Sequence, residues 1–369
     1  MWKVGIGILI LFILAIGLTI YRSNPPQKSQ TPFFVQPSAT ISPSPSVETP
    51  KIEVIAQNLE VPWALSFLPD NSILVTERKG TVKLVKNGAV SEIALDIKVR
   101  QTGESGLHGI AVDPKYPQEP FVYLYYTYSA DSDNTLNKVS KFTFEGPPAG
   151  RLKNEQVLVD KIPGALFHDG GRIKFGPASR GEPDGALFVT TGDAANPSLS
   201  QDKNSLAGKI LRIVNSKVEI YSYGHRNPQG IAWDNEGKLW ETEHGQSATD
   251  EVNLIEEGKN YGWPTIRGDQ TKDGMVSPRL HSGTNTWAPA GMAFFNGSIY
   301  YGGLRGQALF QLKLDNMELI EHFKGEFGKI RDVILGPDQM LYITTSNRDG
   351  RGNPLVEDDR IIKVNPEKL

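Results

Sequence analysis

Short apolar runs, rich in β-branched and aromatic residues, alternate along most of the chain with turns built from Pro, Asp, Asn and Gly. The segment LSFLPDNSILVTE at residues 65–77 returns in altered form. It recurs as IAVDPKYPQEPFVYLYYT from Ile110, IKFGPASRGEPDGALFVTTGD from Ile173 and IAWDNEGKLWETEHG from Ile231, then as MAFFNGSIYYGG from Met292 and VILGPDQMLYITTSN from Val333. Each copy predicts strand, turn, strand. Equivalent positions Phe67, Val112, Phe175, Trp233, Phe294 and Leu335 are 45, 63, 58, 61 and 41 residues apart, the spacing of one four-stranded propeller blade with its loops. Further apolar strands follow most copies, at 81–85, 139–144, 210–214, 309–314 and 361–364. Ile52–Ala56 has no partner in the first unit and is expected to be the outer strand of the last, closing the ring. The predicted fold class is therefore all-β, a six-bladed β-propeller of four-stranded blades. An open stack of hairpins or a β-sandwich is the alternative; six similar units argue against the sandwich, and radial closure removes free sheet edges.

The pattern breaks at the N-terminus. Residues 4–20, VGIGILILFILAIGLTI, are uncharged and bounded by Lys3 and by Tyr21 and Arg22. With Trp2 and Tyr21 the run is long enough to cross a bilayer core of roughly 30 Å. No small-x-small cleavage site precedes Arg22, so an uncleaved transmembrane signal anchor over 1–22 is expected. A short N-terminal tail usually stays inside, which would put the remainder outside the cytoplasm, periplasmic or at the cell surface. Residues 23–50, dense in Pro, Ser, Thr and Gln, read as a tether. The globular domain is expected over 51–369.

Composition narrows the chemistry. The 369 residues carry Lys+Arg 39 against Asp+Glu 42 with no basic run, which gives no electrostatic footprint for nucleic acid. With Cys 0, disulfides, thiolate metal sites and a cysteine nucleophile are excluded, and redox chemistry would need a bound cofactor. Gly-x-Ser-x-Gly, His-Glu-x-x-His, Walker and dinucleotide-binding signatures are missing.

The stretch HDGGRIKFGPASRGEPDGALFVTTGD, residues 168–193, organises the candidate chemistry. Antiparallel pairing of its two strands brings the residue before the first and the residue after the second to one end, so His168 and Arg172 are expected near Asp193. A carboxylate beside a histidine fixes its tautomer and supports its basicity, as a general base requires. Read alone, the same residues also fit a surface loop with a solvated histidine. Further polar clusters occupy corresponding loops: GESGLHG with Glu104 and His108, YGHRNPQG with Arg226 and Asn227, EHGQSATDEVNL and GKNYGWP, NTWAPAGM, and GKIRDV. Lys329, Arg331 and Arg226 are expected to converge on one channel, and arginine forks suit carboxylates.

Across residues 59–363 the motifs VPWALSFLPD, GLHGIAVDP, HDGGRIKFGP with GD, GHRNPQG, DEVNLIEEGKNYGWP, WAPAGMAF and IRDV carry a joint resemblance. The chain resembles the soluble aldose sugar dehydrogenases that use pyrroloquinoline quinone (PQQ), the glucose/sorbosone dehydrogenase family. That resemblance implies a six-bladed propeller that oxidises aldoses at the anomeric carbon to lactones and passes electrons to an external acceptor such as a quinone, cytochrome or dye. It implies His168 as the base, supported by Asp193, with Arg226 and Asn227 against the quinone. Lys329 and Arg331 match positions that hold the cofactor's carboxylates, and Thr286 and Arg305 fall near its other edge. It also implies Ca2+: one ion against the cofactor, on backbone oxygens matching Gly245 and Gln246, and a structural one at Glu251 and the Tyr261 carbonyl. Two positions depart from the family pattern: Glu104 stands where some members have Gln, and Arg305 where some have Lys. His108, where an apolar residue is usual, reads as structural. The alternative is a calcium-dependent propeller lactonase or a non-catalytic carbohydrate-binding propeller. A lactonase would want several acidic side chains on a channel calcium, where this chain offers mostly Arg, Lys, Asn and His.

Overall fold

The computed structural model describes residues 51–369 except 132–133, 148–149 and 178–184. The chain divides into two units, Met1–Glu48 and Thr49–Leu369, and the described residues belong to the second. The anchor and tether expected over 1–22 and 23–50 lie outside them. Among the described residues no helix is long and apolar enough to cross a membrane.

Nearly all regular structure is β. The strand β1 (Ile52–Ala56) precedes two meanders, β2 (Pro62–Phe67), β3 (Ile73–Glu77), β4 (Thr81–Lys86), β5 (Ala89–Leu95) and β6 (Leu107–Val112), β7 (Phe121–Ser129), β8 (Thr135–Glu145), β9 (Arg151–Pro163). Three more follow: β10 (Ile173–Phe175), β11 (Leu187–Thr191), β12 (Lys209–Val214), β13 (Lys217–Tyr223); β14 (Pro228–Trp233), β15 (Leu239–Glu243), β16 (Glu251–Ile255), β17 (Leu280–His281); and β18 (Pro289–Phe295), β19 (Ser298–Gly303), β20 (Leu309–Lys313), β21 (Leu319–His322). The chain ends on β22 (Ile330–Leu335), β23 (Leu341–Thr345) and β24 (Ile361–Val364). The first two meanders merge into an eight-stranded sheet through a parallel contact of Ala94 and Leu95 with Arg151 and Leu152. The other sheets are four-stranded, and the last has the order β1-β24-β23-β22. The lone N-terminal strand thus pairs antiparallel with β24, Ile52 opposite Val364, as its lack of an earlier partner predicts.

The second strand of five of the six repeats is buried along its whole length, as in Ile73–Glu77, Leu187–Thr191, Leu239–Glu243 and Leu341–Thr345; Phe121–Ser129 is the exception. Strict in-out alternation is lost there because a neighbouring sheet covers each face. Apolar clusters fill the gaps between consecutive sheets. One packs Phe188 edge-on to Tyr221 and Trp233, with ring centroids 5.1 and 5.2 Å apart; truncating such a buried Phe to Ala costs about 3 to 5 kcal/mol. Another joins Leu65, Val75 and Val85 of the first meander to Ile334, Tyr342 and Ile361 of the last sheet. The last sheet therefore packs on the first, the propeller-like arrangement. Loops that enter the first strand and leave the second strand of each repeat share one end of the molecule, and that end carries the polar clusters.

Candidate active site

The hairpin of β10 and β11 forms as the sequence predicts, with Ile173 opposite Val189. His168 Nδ1 lies 2.8 Å from Asp193 Oδ1. Asp193, 0% exposed, also accepts from Ala195 N at 2.9 Å and from Trp263 Nε1 at 2.9 Å. With three donors on a carboxylate that can only accept, the His168 proton resides on Nδ1 and the Nε2 lone pair is free. The chain turns tightly here: His168 has φ 66°, and a Cβ on Gly192 would stand 1.8 Å from the His168 carbonyl oxygen. Glycine at 192 is what lets the two ends of the hairpin approach.

Next to it lies a cavity of about 380 Å3, lined by side chains from loops of different sheets. Its cationic side is Arg78, Arg305, Lys329, Arg331 and Arg351; its carboxylates are Glu104, Asp169 and Asp349. Arg331 is buried, donates from Nη1 to Gln229 Oε1 at 3.1 Å, and leaves Nε without a partner. Burial first, and Arg78 second, push its guanidinium down to about 10. Lys329 Nζ sits 2.6 Å from Asp349 Oδ1. Glu104 pairs with Arg351 Nη1 at 2.8 Å; burial opposes its charge, but His244, Arg351 and Arg331 hold it below the usual carboxylate range. Trp63, His108 and Tyr125 stack in the wall, with centroids 4.6 and 5.8 Å apart. His108 donates from Nε2 to the Glu104 carbonyl at 3.0 Å, and burial lowers it to about 3, a neutral wall residue in keeping with its structural reading. A cavity with this excess of guanidinium and ammonium groups, one carrying an orphaned buried N–H, fits a flat molecule bearing several carboxylates.

Glu251 belongs to a larger acidic cluster than the sequence suggests. Register in the β15/β16 pair sets Glu241 opposite Asn253 and Glu243 opposite Glu251, so all four share one buried face. Asn253 Nδ2 donates to Glu241 Oε2 at 3.0 Å and Glu243 Oε1 at 3.2 Å, while Glu241 Oε1 and Asn253 Oδ1 have no partner. Burial, then Glu243, raises the Glu251 carboxyl to about 8. Unpartnered oxygens among mutually repelling carboxyls fit a hard cation with oxygen ligands. Tyr261 and Gly245 border the same small cavity as Glu243 and Glu251, and Tyr261 stacks on His225 at 4.9 Å. Gln246 is tied instead to Arg267 through its side-chain oxygen.

Two expectations need correction. Arg172 does not join His168 and Asp193. Its backbone pairs with Thr190, but its side chain runs into the core over Trp63, 4.3 Å from the ring, and meets Asp332 at 3.0 Å. A buried guanidinium requires a buried carboxylate, and both Asp193 oxygens are already taken. Nor does Arg226 converge with Lys329 and Arg331 on the cavity. Its Nη1 donates to the carbonyls of His244 at 3.1 Å and Gly245 at 2.6 Å, stacked near Trp263. Asn227 lies between the two regions, its Oδ1 accepting from Gly170 N at 3.2 Å and from Gln229 Nε2 at 3.1 Å. Glu104, Thr286, Arg305, Lys329 and Arg331 all line the cavity as read from the sequence. Sequence reasoning missed Arg78, Asp169, His244, Asp349 and Arg351. The repeat held the signal for two of them: Arg78 and His244 directly follow β3 and β15, much as Asp193 closely follows β11.

An all-β scaffold whose loop end carries an oriented histidine beside a cation-lined cavity belongs to the class of cofactor-dependent enzymes. The chain belongs to the glucose/sorbosone dehydrogenase family, whose profile matches residues 59–357, and is an oxidoreductase of that family. It is 28% identical over 382 residues to aldose sugar dehydrogenase YliI of Escherichia coli K12, covering 90% of this chain and 98% of that one. Quinoprotein glucose dehydrogenase B of Acinetobacter calcoaceticus is 29% identical over 276 residues, 63% of this chain and 56% of its own. The PQQ-bound aldose sugar dehydrogenase of Streptomyces coelicolor superposes with a TM-score of 0.77 at 35% identity, over 85% of this chain and 97% of that one.

Proposed function

We propose that this protein oxidises aldoses at the anomeric carbon to lactones on a six-bladed propeller, with His168 as the base and electrons leaving to an external acceptor. When bound, PQQ supplies the two-electron acceptor that takes hydride from the sugar. His168 Nε2 accepts the anomeric hydroxyl proton, and Asp193 holds the ring in the tautomer that makes this possible. Arg331, Lys329, Arg305 and Thr286 bind the cofactor's carboxylates and edge, Glu104 borders the same cavity, and Asn227 orients the quinone from the base's side, while Arg226 acts behind it by holding the carbonyls of His244 and Gly245. Backbone oxygens of Gly245 and Gln246 would hold a calcium ion, which when bound would supply Lewis-acid polarisation; Glu251 and the Tyr261 carbonyl would hold a structural one. The apolar run at 4–20 supports a membrane anchor with residues 51–369 outside the cytoplasm. Packing of the last sheet on the first supports closure at six blades.

The observation that carries the reading is the 2.8 Å contact from His168 Nδ1 to Asp193, which leaves Nε2 free, with the next two residues, Asp169 and Gly170, lining a cavity suited to carboxylates. The test is an absorption spectrum of the full chain with calcium and PQQ, followed by an aldose. Bleaching of the oxidised quinone on sugar addition is expected. A loaded protein whose spectrum no aldose changes would remove the dehydrogenase reading.

A further inference from the structure

Asp169 follows the base in sequence, and nothing above gives it a task. It is 3% exposed and borders the cavity. Its Oδ1 accepts from Asn137 Nδ2 at 2.9 Å and from Ala165 N at 3.1 Å. Asn137 is itself held, its Oδ1 accepting from Thr127 Oγ1 at 2.6 Å, and Tyr125 donates its hydroxyl to the Asp169 carbonyl at 2.7 Å. The carboxyl is therefore pinned at one oxygen, while Oδ2 is buried with no partner at all.

Among the described residues no cation pairs with it. The titratable groups that face it are Glu104 from the loop before β6, whose charge disfavours a second carboxylate, the neighbouring His168, which favours one, and Tyr125 on β7, whose hydroxyl is committed to the backbone. Burial outweighs them and raises the carboxyl to about 6. A polycarboxylate entering this cavity meets repulsion from an ionised Asp169 and a hydrogen-bond donor from a neutral one.

Resting on the assignment of this cavity to PQQ, we propose that Asp169 is a cofactor-binding residue that carries a proton in the loaded site and donates from Oδ2 to an oxygen of the cofactor. The balance is simple: carboxylate, solvent proton and cofactor give a neutral acid hydrogen-bonded to the cofactor, with no electron moved. Loading thereby takes up one proton wherever the cofactor-free group is ionised.

The test uses the full chain with calcium, titrated with PQQ between pH 5.5 and 8.5 for wild type, Asp169→Asn and Asp169→Ala. In Asp169→Asn the amide oxygen keeps the two donors of Oδ1 and the amide N–H takes the place of the acid proton. Above the carboxyl's titration, wild-type affinity is expected to fall about tenfold per pH unit more steeply than that of Asp169→Asn, the slope of one linked proton. Near pH 8 Asp169→Asn therefore binds about tenfold or more tighter than wild type, while Asp169→Ala binds weaker than Asp169→Asn at every pH. Calorimetry in two buffers of different ionisation enthalpy counts the proton directly: one fewer for Asp169→Asn. An infrared difference spectrum of wild type, loaded minus free at pH 8, needs no variant and shows a new protonated-carboxyl stretch. Equal slopes and equal proton counts, or no such band, overturn the proposal while leaving PQQ binding intact. Failure of wild type to bind PQQ at any pH overturns the cofactor assignment, and this proposal with it.

Discussion

Replacing Arg331 with Met is predicted to move two quantities in opposite directions. Burial lowers this guanidinium well below its ordinary value, to about 10, and at roughly 1.4 kcal/mol per unit the cofactor-free fold carries the charge at a penalty of about 3 kcal/mol. The sign follows from the direction: a cation with a depressed folded value destabilises the fold at every pH below that value. Met keeps the apolar stem beside Trp63 but removes the donor to Gln229 Oε1, which loses about 1 to 2 kcal/mol. The net expectation is a cofactor-free protein more stable by about 1 to 2 kcal/mol, read as a higher urea midpoint at unchanged slope. Cofactor affinity moves the other way, since loss of a desolvated charge-assisted pair costs about 2 to 5 kcal/mol, a factor of roughly 30 to several thousand. Equilibrium titration with PQQ in saturating calcium measures it. If Arg331→Met binds PQQ within threefold of wild type, or is less stable than wild type without cofactor, the account of a strained, waiting cation is wrong.

His168→Gln should lower the chemical step of the loaded enzyme by about 100 to 10,000-fold in single-turnover absorbance, with PQQ affinity unchanged; turnover within a few-fold of wild type would take the base away from His168. Deleting residues 1–50 should leave loaded turnover as it is, because the described residues already line the cavity with its cations and carboxylates; an inactive, cofactor-loaded truncation would move the domain boundary. Lys209→Met should destabilise the fold by about 1 to 3 kcal/mol in urea. Its Nζ serves the carbonyls of Leu199 at 2.8 Å, Ser200 at 3.1 Å and Ala207 at 2.5 Å; the first two also accept from Asp202 N and Gly224 N, and burial that lowers the ammonium to about 8 offsets part of the loss. An unchanged urea midpoint would mean that the Ala207 carbonyl finds another donor.

The repeat made the scaffold readable because each copy carries its own turn residues and its own apolar pair of strands. The placing of Ile52–Ala56 followed from counting strands that lacked partners. The His168–Asp193 pair was legible for a local reason: one hairpin fixes both residues. Contacts across the ring were not. Arg172 and Asp332 are 160 positions apart in sequence, and no local pattern says that a guanidinium on one sheet will find a carboxylate on another. Arg226 was misjudged because its motif gives the residue type without the direction of the side chain, which the neighbouring carbonyls decide. Arg351 sits in the long loop between β23 and β24, where length removes the register that located Arg78 and His244. Asp169 was in plain view beside the base, but its significance lies in an oxygen with nothing attached, and only packing reveals that.

Pairing of β1 with β24 also bears on how the chain is made. Strand Ile52–Ala56 emerges from the ribosome roughly 300 residues before its partner Ile361–Val364, a wait of about 15 to 60 s at about 5 to 20 residues per second. Through that interval an apolar, β-prone segment has no native neighbour, while the earlier sheets can already assemble. Lys51, Glu53 and Glu60 punctuate it with charge, the kind of gatekeeping that keeps an orphan strand from joining another copy. The last event of folding is thus the return of the oldest strand to the newest one, and a nascent chain stalled before residue 361 is the form most exposed to aggregation.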